Sequence, residues 1–189
     1  MFTYQGNKRK MVEFIEKQIV EIKRILGKEK LTILDAFTGS GVVARMLSTH
    51  ASELHTNDTE LYSDIASKCY VLQPSESQKI VIEKHIDAMN ALAETGPYVE
   101  GLLATHYAPR NTADPQPGEI CFYTRENALI IDTLRAYVDR CVAPDLWHWC
   151  FGPLLVKAMV HSNTMGHTQG FFKKGGGVGN FHITPTTTG

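Results

Sequence analysis

From residue 10 to residue 26 the apolar side chains Met11, Val12, Ile15, Ile19, Ile22, Ile25 and Leu26 recur at three- and four-residue steps. That spacing puts one apolar stripe on a helix, which Gly27 can terminate. Residues 31–36 are short, β-branched and apolar, as in a buried strand, and the glycine turn at 37–41 leads directly into an apolar helix over 42–47. A second strand is predicted over 53–57 with a helix over 59–72 behind it, and strands alternating with helices imply an α/β fold with a parallel sheet. A further helix over 78–94 carries Ile80, Ile82, Ile86 and Met89 on its inner face. Residues 95–120 hold Pro97, Pro109, Pro115 and Pro117 with Gly96, Gly101 and Gly118, which predicts loops around a short extended piece near 102–107. Thr124 is placed to cap a helix reaching about Arg140, with Ala128, Ile131, Leu134 and Val138 inward. Residues 145–160 read as helical despite Pro153, and the stretch from Gly175 lacks periodicity, as a flexible tail would.

At 189 residues, with 43% hydrophobic and 21% charged side chains, the chain suits one soluble globular domain. No apolar run approaches the roughly 18 residues needed to span a bilayer, and the first residues lack the apolar stretch of a signal peptide. A cytoplasmic location with no membrane partner is expected. Cys69, Cys121, Cys141 and Cys150 form no Cys-x-x-Cys pair and no zinc spacing, so they read as reduced thiols and no metal site is expected. The net charge of −1 hides an uneven distribution. Residues 1–31 carry eight basic and four acidic side chains, residues 32–150 eight and sixteen, and residues 151–189 three and none. Basic ends that meet in space would make a face for phosphate backbones, and the same pattern also fits ordinary solvated helix faces.

The densest chemistry lies at Asp35-Ala36-Phe37-Thr38-Gly39-Ser40-Gly41. Gly39 lets the chain turn off the strand, and Gly41 lets backbone approach a ligand without a Cβ. Gly39-x-Gly41-x-x-Ala44 also satisfies the dinucleotide-binding pattern, with Asp58 nineteen residues beyond Gly39 where a ribose-binding acid is expected. A nicotinamide- or flavin-dependent oxidoreductase is therefore one reading, and a packing turn with no ligand is another. Asp35 favours a third. A carboxylate four residues before the first glycine repels a pyrophosphate but attracts the ammonium and sulfonium of S-adenosylmethionine.

These segments together resemble the Dam-like, D12 class of DNA adenine-N6 methyltransferases. Tyr4-Gln5-Gly6-Asn7-Lys8-Arg9-Lys10 is similar to that family's N-terminal donor-binding motif, Asp35-x-Phe37-x-Gly39-Ser40-Gly41 to its glycine loop, and Asn57-Asp58 to its ribose-binding acid. Tyr123-Thr124-x-x-Asn127-Ala128-x-x-x-Asp132-x-x-Arg135 and Asn163-x-x-Gly166-His167-x-x-x-Phe171 also resemble its segments. The resemblance implies a Rossmann-like S-adenosylmethionine-dependent methyltransferase fold in incomplete form. Residues 1–95 would bind the donor, 96–174 would form a helical DNA-recognition region, and 175–189 would be a tail. It implies that Tyr4 belongs to the donor site, that Lys8, with Gly6 and Asn7 bringing backbone close, faces the donor's carboxylate, that Asp35, Phe37, Gly39, Ser40 and Gly41 hold its methionine portion, and that Asp58 accepts from the ribose hydroxyls. Taken singly, Lys8 also reads as a surface lysine before a helix, and Asp58 as a helix cap. For double-stranded DNA the candidates are Arg110, Arg125, Arg135, Asn163, His167, Lys173 and Lys174, arginine being the side chain best shaped for bidentate guanine contacts. Asp132 and Arg135, three residues apart, also read as a surface pair.

One departure stands out. The family holds its flipped adenine in an Asp/Asn-Pro-Pro-Tyr/Phe tetrad, and these eight prolines are all separated, so no Pro-Pro dipeptide occurs. The expectation is the N-terminal part of a methyltransferase, inactive and marginally stable alone unless a second chain carrying the missing catalytic half supplies the missing strands or the edge is covered some other way. It follows that the strand at 31–36 should have an unpaired apolar edge. A non-catalytic DNA-binding module is the remaining alternative.

Overall fold

A computed structural model describes residues 8–163, which divide into two compact units between Gln73 and Pro74. The first unit opens with a 3-10 turn, Arg9–Met11, that runs into α1, Val12–Leu26. Gly27 ends α1 in the left-handed conformation at φ 63°, and the Lys28 N–H reaches back to the Lys23 carbonyl at 3.0 Å. Only glycine takes up that backbone without a Cβ penalty. β1, Leu31–Asp35, then pairs in parallel with β2, Ala51–Thr56, in the register Ile33 opposite Leu54 and Asp35 opposite Thr56. α2, Val42–Ser48, makes the crossover between them, and α3, Leu61–Val71, follows β2. The expected alternation is thus present, and β2 begins two residues earlier than its sequence pattern suggested. Ala44, Leu47, Ile65, Ala66 and Cys69 form the small core of this unit.

Among the described residues β1 has one strand neighbour only, so one of its edges carries unpaired backbone groups. The side chains tell the same story. No residue of α1 is buried despite its strong apolar stripe, with Phe14 58% and Ile25 68% exposed, and Leu34 on β1 is 64% exposed. An amphipathic helix is built to bury that stripe, and here most of it faces outward.

The second unit is helical. α4, Glu76–Thr95, starts from a capping box in which Ser75 and Gln78 satisfy each other's backbone N–H groups. α6, Arg125–Cys141, is capped by Thr124, whose hydroxyl accepts from the Asn127 N–H. α7, Trp147–Val160, accommodates Pro153, and α4 and α7 both pack on α6 around Ile86, Met89, Leu134, Val138 and Leu154. Residues 102–107 depart from expectation: Leu102–His106 form a short helix, α5, rather than an extended piece. The cause lies 28 to 31 residues away on α6, where the Asp132 carboxylate accepts from the N–H groups of Gly101, Leu103 and Ala104 at 3.0, 3.1 and 2.8 Å. Those are the amides that a helix start leaves without partners.

The two units should differ in stability. Leu134 is fully buried, so Leu134→Ala is expected to cost about 2 to 5 kcal/mol in a urea melt of the second unit's helices. Native-state hydrogen exchange should show the amides of α1 opening far more readily than those of α6. Equal protection in both helices would mean that the apolar face of α1 is covered in solution.

Candidate functional site

The carboxyl ends of β1 and β2 lie side by side, and the loop between β1 and α2 is stitched to the residues that follow β2. The Asn57 N–H donates to the Asp35 carbonyl at 2.9 Å, and the Thr38 N–H donates to the Asn57 carbonyl at 3.0 Å. The Thr38 hydroxyl donates toward both of those carbonyls, and the Asn57 side-chain amide donates to the Ala36 carbonyl at 3.1 Å. Asp58 completes the stitching: its Oδ2 accepts from the Gly39 N–H at 2.7 Å and its Oδ1 from the Glu60 N–H at 3.1 Å. Charge-assisted bonds of this kind hold a loop that has no regular structure of its own.

Both glycines have positive φ, 55° at Gly39 and 76° at Gly41. A Cβ on Gly41 would lie 3.3 Å from the Tyr70 ring and 3.7 Å from the Ala66 carbonyl oxygen on α3. Gly41 therefore serves backbone conformation and close helix packing. Ser40 is buried beneath the loop, and Phe37 projects from it, 90% exposed.

The two carboxylates differ electrostatically. Backbone N–H bonds to Asp58, led by that from Gly39 and followed by that from Glu60, hold its carboxyl below the usual range, so it is ionised at neutral pH. Asp35 is half-buried, and desolvation pushes its carboxyl above the usual range, with the Asp58 charge adding to the effect and a bond from the Phe37 N–H opposing it. Its Oδ2 is buried and accepts no hydrogen bond. Such an oxygen is costly to leave unmatched, and a cationic or N–H-bearing group placed there would satisfy it. A pyrophosphate would not. Lys8 stands at the start of the 3-10 turn before α1, while Tyr4, Gly6 and Asn7 lie outside the described residues.

The other sequence candidates are held in the second unit. The Arg125 guanidinium donates to the Ala104 carbonyl at 2.6 Å and to the Glu100 carboxylate at 2.7 Å. Arg135 bonds Asp139 at 2.7 Å, not Asp132, and stacks over Phe151 and Trp147 at 4.6 and 5.4 Å from their ring centres. Asn163 is buried, its backbone N–H on the Phe122 carbonyl at 2.7 Å and its side-chain amide on the Cys121 carbonyl at 2.8 Å. Arg110 alone of these four has an exposed side chain with no hydrogen bond of its own. His167, Lys173 and Lys174 fall outside the described residues. Sequence reading passed over Thr38 and the amide of Asn57 as builders of the loop, although an Asn-Asp pair ending a strand was a usable signal.

Comparison with known proteins agrees with this chemistry. The profile of the D12 class N6 adenine-specific DNA methyltransferases matches residues 4–174. The chain is 26% identical over 175 residues to the type II methyltransferase M.NlaIII of Neisseria lactamica and 24% identical over 174 residues to the type II methyltransferase M.CviAII of Paramecium bursaria Chlorella virus 1. Each alignment covers 90% of this chain and 49% of the relative, so the chain spans about half the length of the curated relatives it matches. No solved structure matches. A parallel βαβ unit bearing the family's glycine loop, with the family profile running along most of the sequence, establishes that the chain belongs to the D12 class of N6 adenine-specific DNA methyltransferases.

Proposed function

We propose that this chain binds S-adenosylmethionine at the mouth of β1 and contributes the donor-binding part of an enzyme that methylates adenine N6 in double-stranded DNA. The observation that carries the reading is the buried, unpaired Oδ2 of Asp35. The donor's methionine end presents an ammonium and a sulfonium, the charges such an oxygen can match. Asp35 and the loop from Phe37 to Gly41 would hold that end, with Gly39 and Ser40 supplying backbone. Asp58 would accept from the ribose hydroxyls, since each of its oxygens keeps a lone pair after bonding Gly39 or Glu60. Lys8, with Tyr4, Gly6 and Asn7 before it, would face the donor's carboxylate. When bound, the donor supplies an activated methyl group on sulfur.

Transfer of that methyl also requires a pocket for an extruded adenine, and the Pro-Pro tetrad that the family uses has no counterpart in these 189 residues. The proposal is that further polypeptide, a second chain or more of the same one, supplies that pocket and lies against β1. The open edge of β1 among the described residues and the largely exposed stripe of α1 support it. The chain alone then binds donor without methylating. Among the described residues no helix is long and apolar enough to cross a membrane.

Isothermal titration tests the reading. Heat with S-adenosylmethionine or S-adenosylhomocysteine and none with NAD is the expected result; binding of NAD alone would replace it with an oxidoreductase, and DNA binding indifferent to donor and to Asp35→Ala would replace it with a non-catalytic module. Asp35→Ala should weaken donor binding at least tenfold, the loss of a charge-assisted bond worth about 1.5 to 3 kcal/mol.

The pH dependence has a definite sign. Asp35 must be ionised to hold a cation, so donor affinity should fall as pH drops through a midpoint above the ordinary carboxylate range. In the ligand-free protein the same raised value means that stability contributed at Asp35 is lost as pH rises from the ordinary carboxylate value through the raised one. Asp58 acts in the opposite sense: its contribution is present above the ordinary value and lost as pH falls through its depressed one. Carboxyl NMR titration should find Asp35 highest and Asp58 among the lowest of the aspartates.

A further inference from the structure

The second unit contains a backbone segment whose shape is set by side chains from one helix. The Val99 N–H donates to the Thr133 hydroxyl at 2.8 Å, and the Asp132 carboxylate takes the N–H groups of Gly101, Leu103 and Ala104. Arg125, two turns earlier on α6, holds the other end of the same short helix through the Ala104 carbonyl. A Cβ at position 101 would stand 2.8 Å from the Asp132 carboxyl carbon, so the approach depends on glycine there. Beyond α5 the fixing continues. The Tyr107 carbonyl accepts from the Tyr123 N–H at 3.0 Å, and the Arg110 N–H donates to the Glu119 carboxylate at 2.9 Å.

On this immobilised backbone sit His106, Tyr107 and Arg110, all exposed, while Ala104, Ala108 and Pro109 between and beside them are buried. Tyr107 is 41% exposed and meets the Phe122 ring edge-on. An imidazole, a phenol and a guanidinium projecting from one anchored turn offer base stacking, a hydroxyl bond and a phosphate contact, the combination that nucleic-acid surfaces take. Fixing the backbone beforehand removes an ordering cost from binding.

Resting on the reading of the chain as part of a DNA methyltransferase, we propose that Asp132 is a positioning residue, which through three backbone amides of 101–104 sets the turn that presents His106, Tyr107 and Arg110 to double-stranded DNA. The Glu119 carboxylate lies beside Arg110 and limits the positive charge of this surface, so aromatic contact carries as much of the binding as phosphate contact.

The test is fluorescence anisotropy of the 189-residue chain on labelled duplex DNA across a salt series, with amide hydrogen exchange of the same proteins. Asp132→Ala should unprotect the Gly101, Leu103 and Ala104 amides and lower DNA affinity about tenfold, with the salt slope falling by up to about one as Arg110 loses its placement. Asp132→Asn, which keeps one acceptor oxygen, should recover part of the affinity. Arg110→Ala should reduce the salt slope by about one, and His106→Ala with Tyr107→Ala should weaken binding with an unaltered slope. Lost amide protection with unaltered affinity, or no effect of the paired His106 and Tyr107 changes, overturns the proposal. An unaltered chain that binds no DNA at any salt, yet keeps those amides protected and binds S-adenosylmethionine, overturns the proposal and leaves the donor-binding reading standing.

Discussion

Paired carboxylate and amide groups are the constraint on which the rest of this structure depends. Among the described residues, three irregular segments have backbone N–H groups held by acids: Asp58 on Gly39, Asp132 on Gly101, Leu103 and Ala104, and Glu119 on Arg110 and Gln116. A buried amide left without an acceptor is expensive, and a carboxylate is the strongest acceptor a side chain offers. The arrangement sorts the acids by role. Asp58 is satisfied and ionised, whereas Asp35, four residues before the first glycine of the loop that Asp58 anchors, keeps one oxygen with nothing to bond. The difference between them is set by backbone geometry and not by residue type.

Much of the first unit was legible in the sequence because its signals are local. The stripe of α1, the β-branched run of β1 and the glycines of the loop each specify their element from neighbours a few residues apart, and Gly27 ends α1 where expected. Thr124 capped α6 for the same reason. What escaped was long-range. α5 is helical because Asp132 reaches it across about thirty residues, and no window over 102–106 contains that information. The site behaved similarly: Asp35 and Asp58 were recognisable as acids at strand ends, but which oxygen would be left over depended on where Gly39 points its N–H. Arg125 looked free in sequence because its partners, the Ala104 carbonyl and the Glu100 carboxylate, arrive from other elements, whereas Arg135 pairs with Asp139 on its own helix instead of Asp132 and lies over rings brought in by α7.

The contrast between the two units is one of covered surface. α6 and α7 bury their apolar faces on each other and on α4, and even the Arg135 guanidinium finds aromatic faces to lie on. α1 has as clear an apolar stripe but fully buries no residue of it, with Val12, Ile15 and Ile19 only half-buried, and among the described residues β1 shows Leu34 on one face and an unpaired edge beside it. Hydrophobic pattern alone therefore does not report how finished a structure is; the same periodicity accompanies a packed helix in one unit and a bare one in the other.

The bond from Gly39 to Asp58 carries a thermodynamic implication. On the proposed reading, a hydroxyl that reached Asp58 would share a carboxylate already committed to the glycine loop, and occupancy and loop order would be linked. A ligand that prefers the ordered loop stiffens it, and any change that loosens the loop weakens the ligand by the same free energy. The turn between β1 and α2 would then be a coupled element, its rigidity rising with saturation.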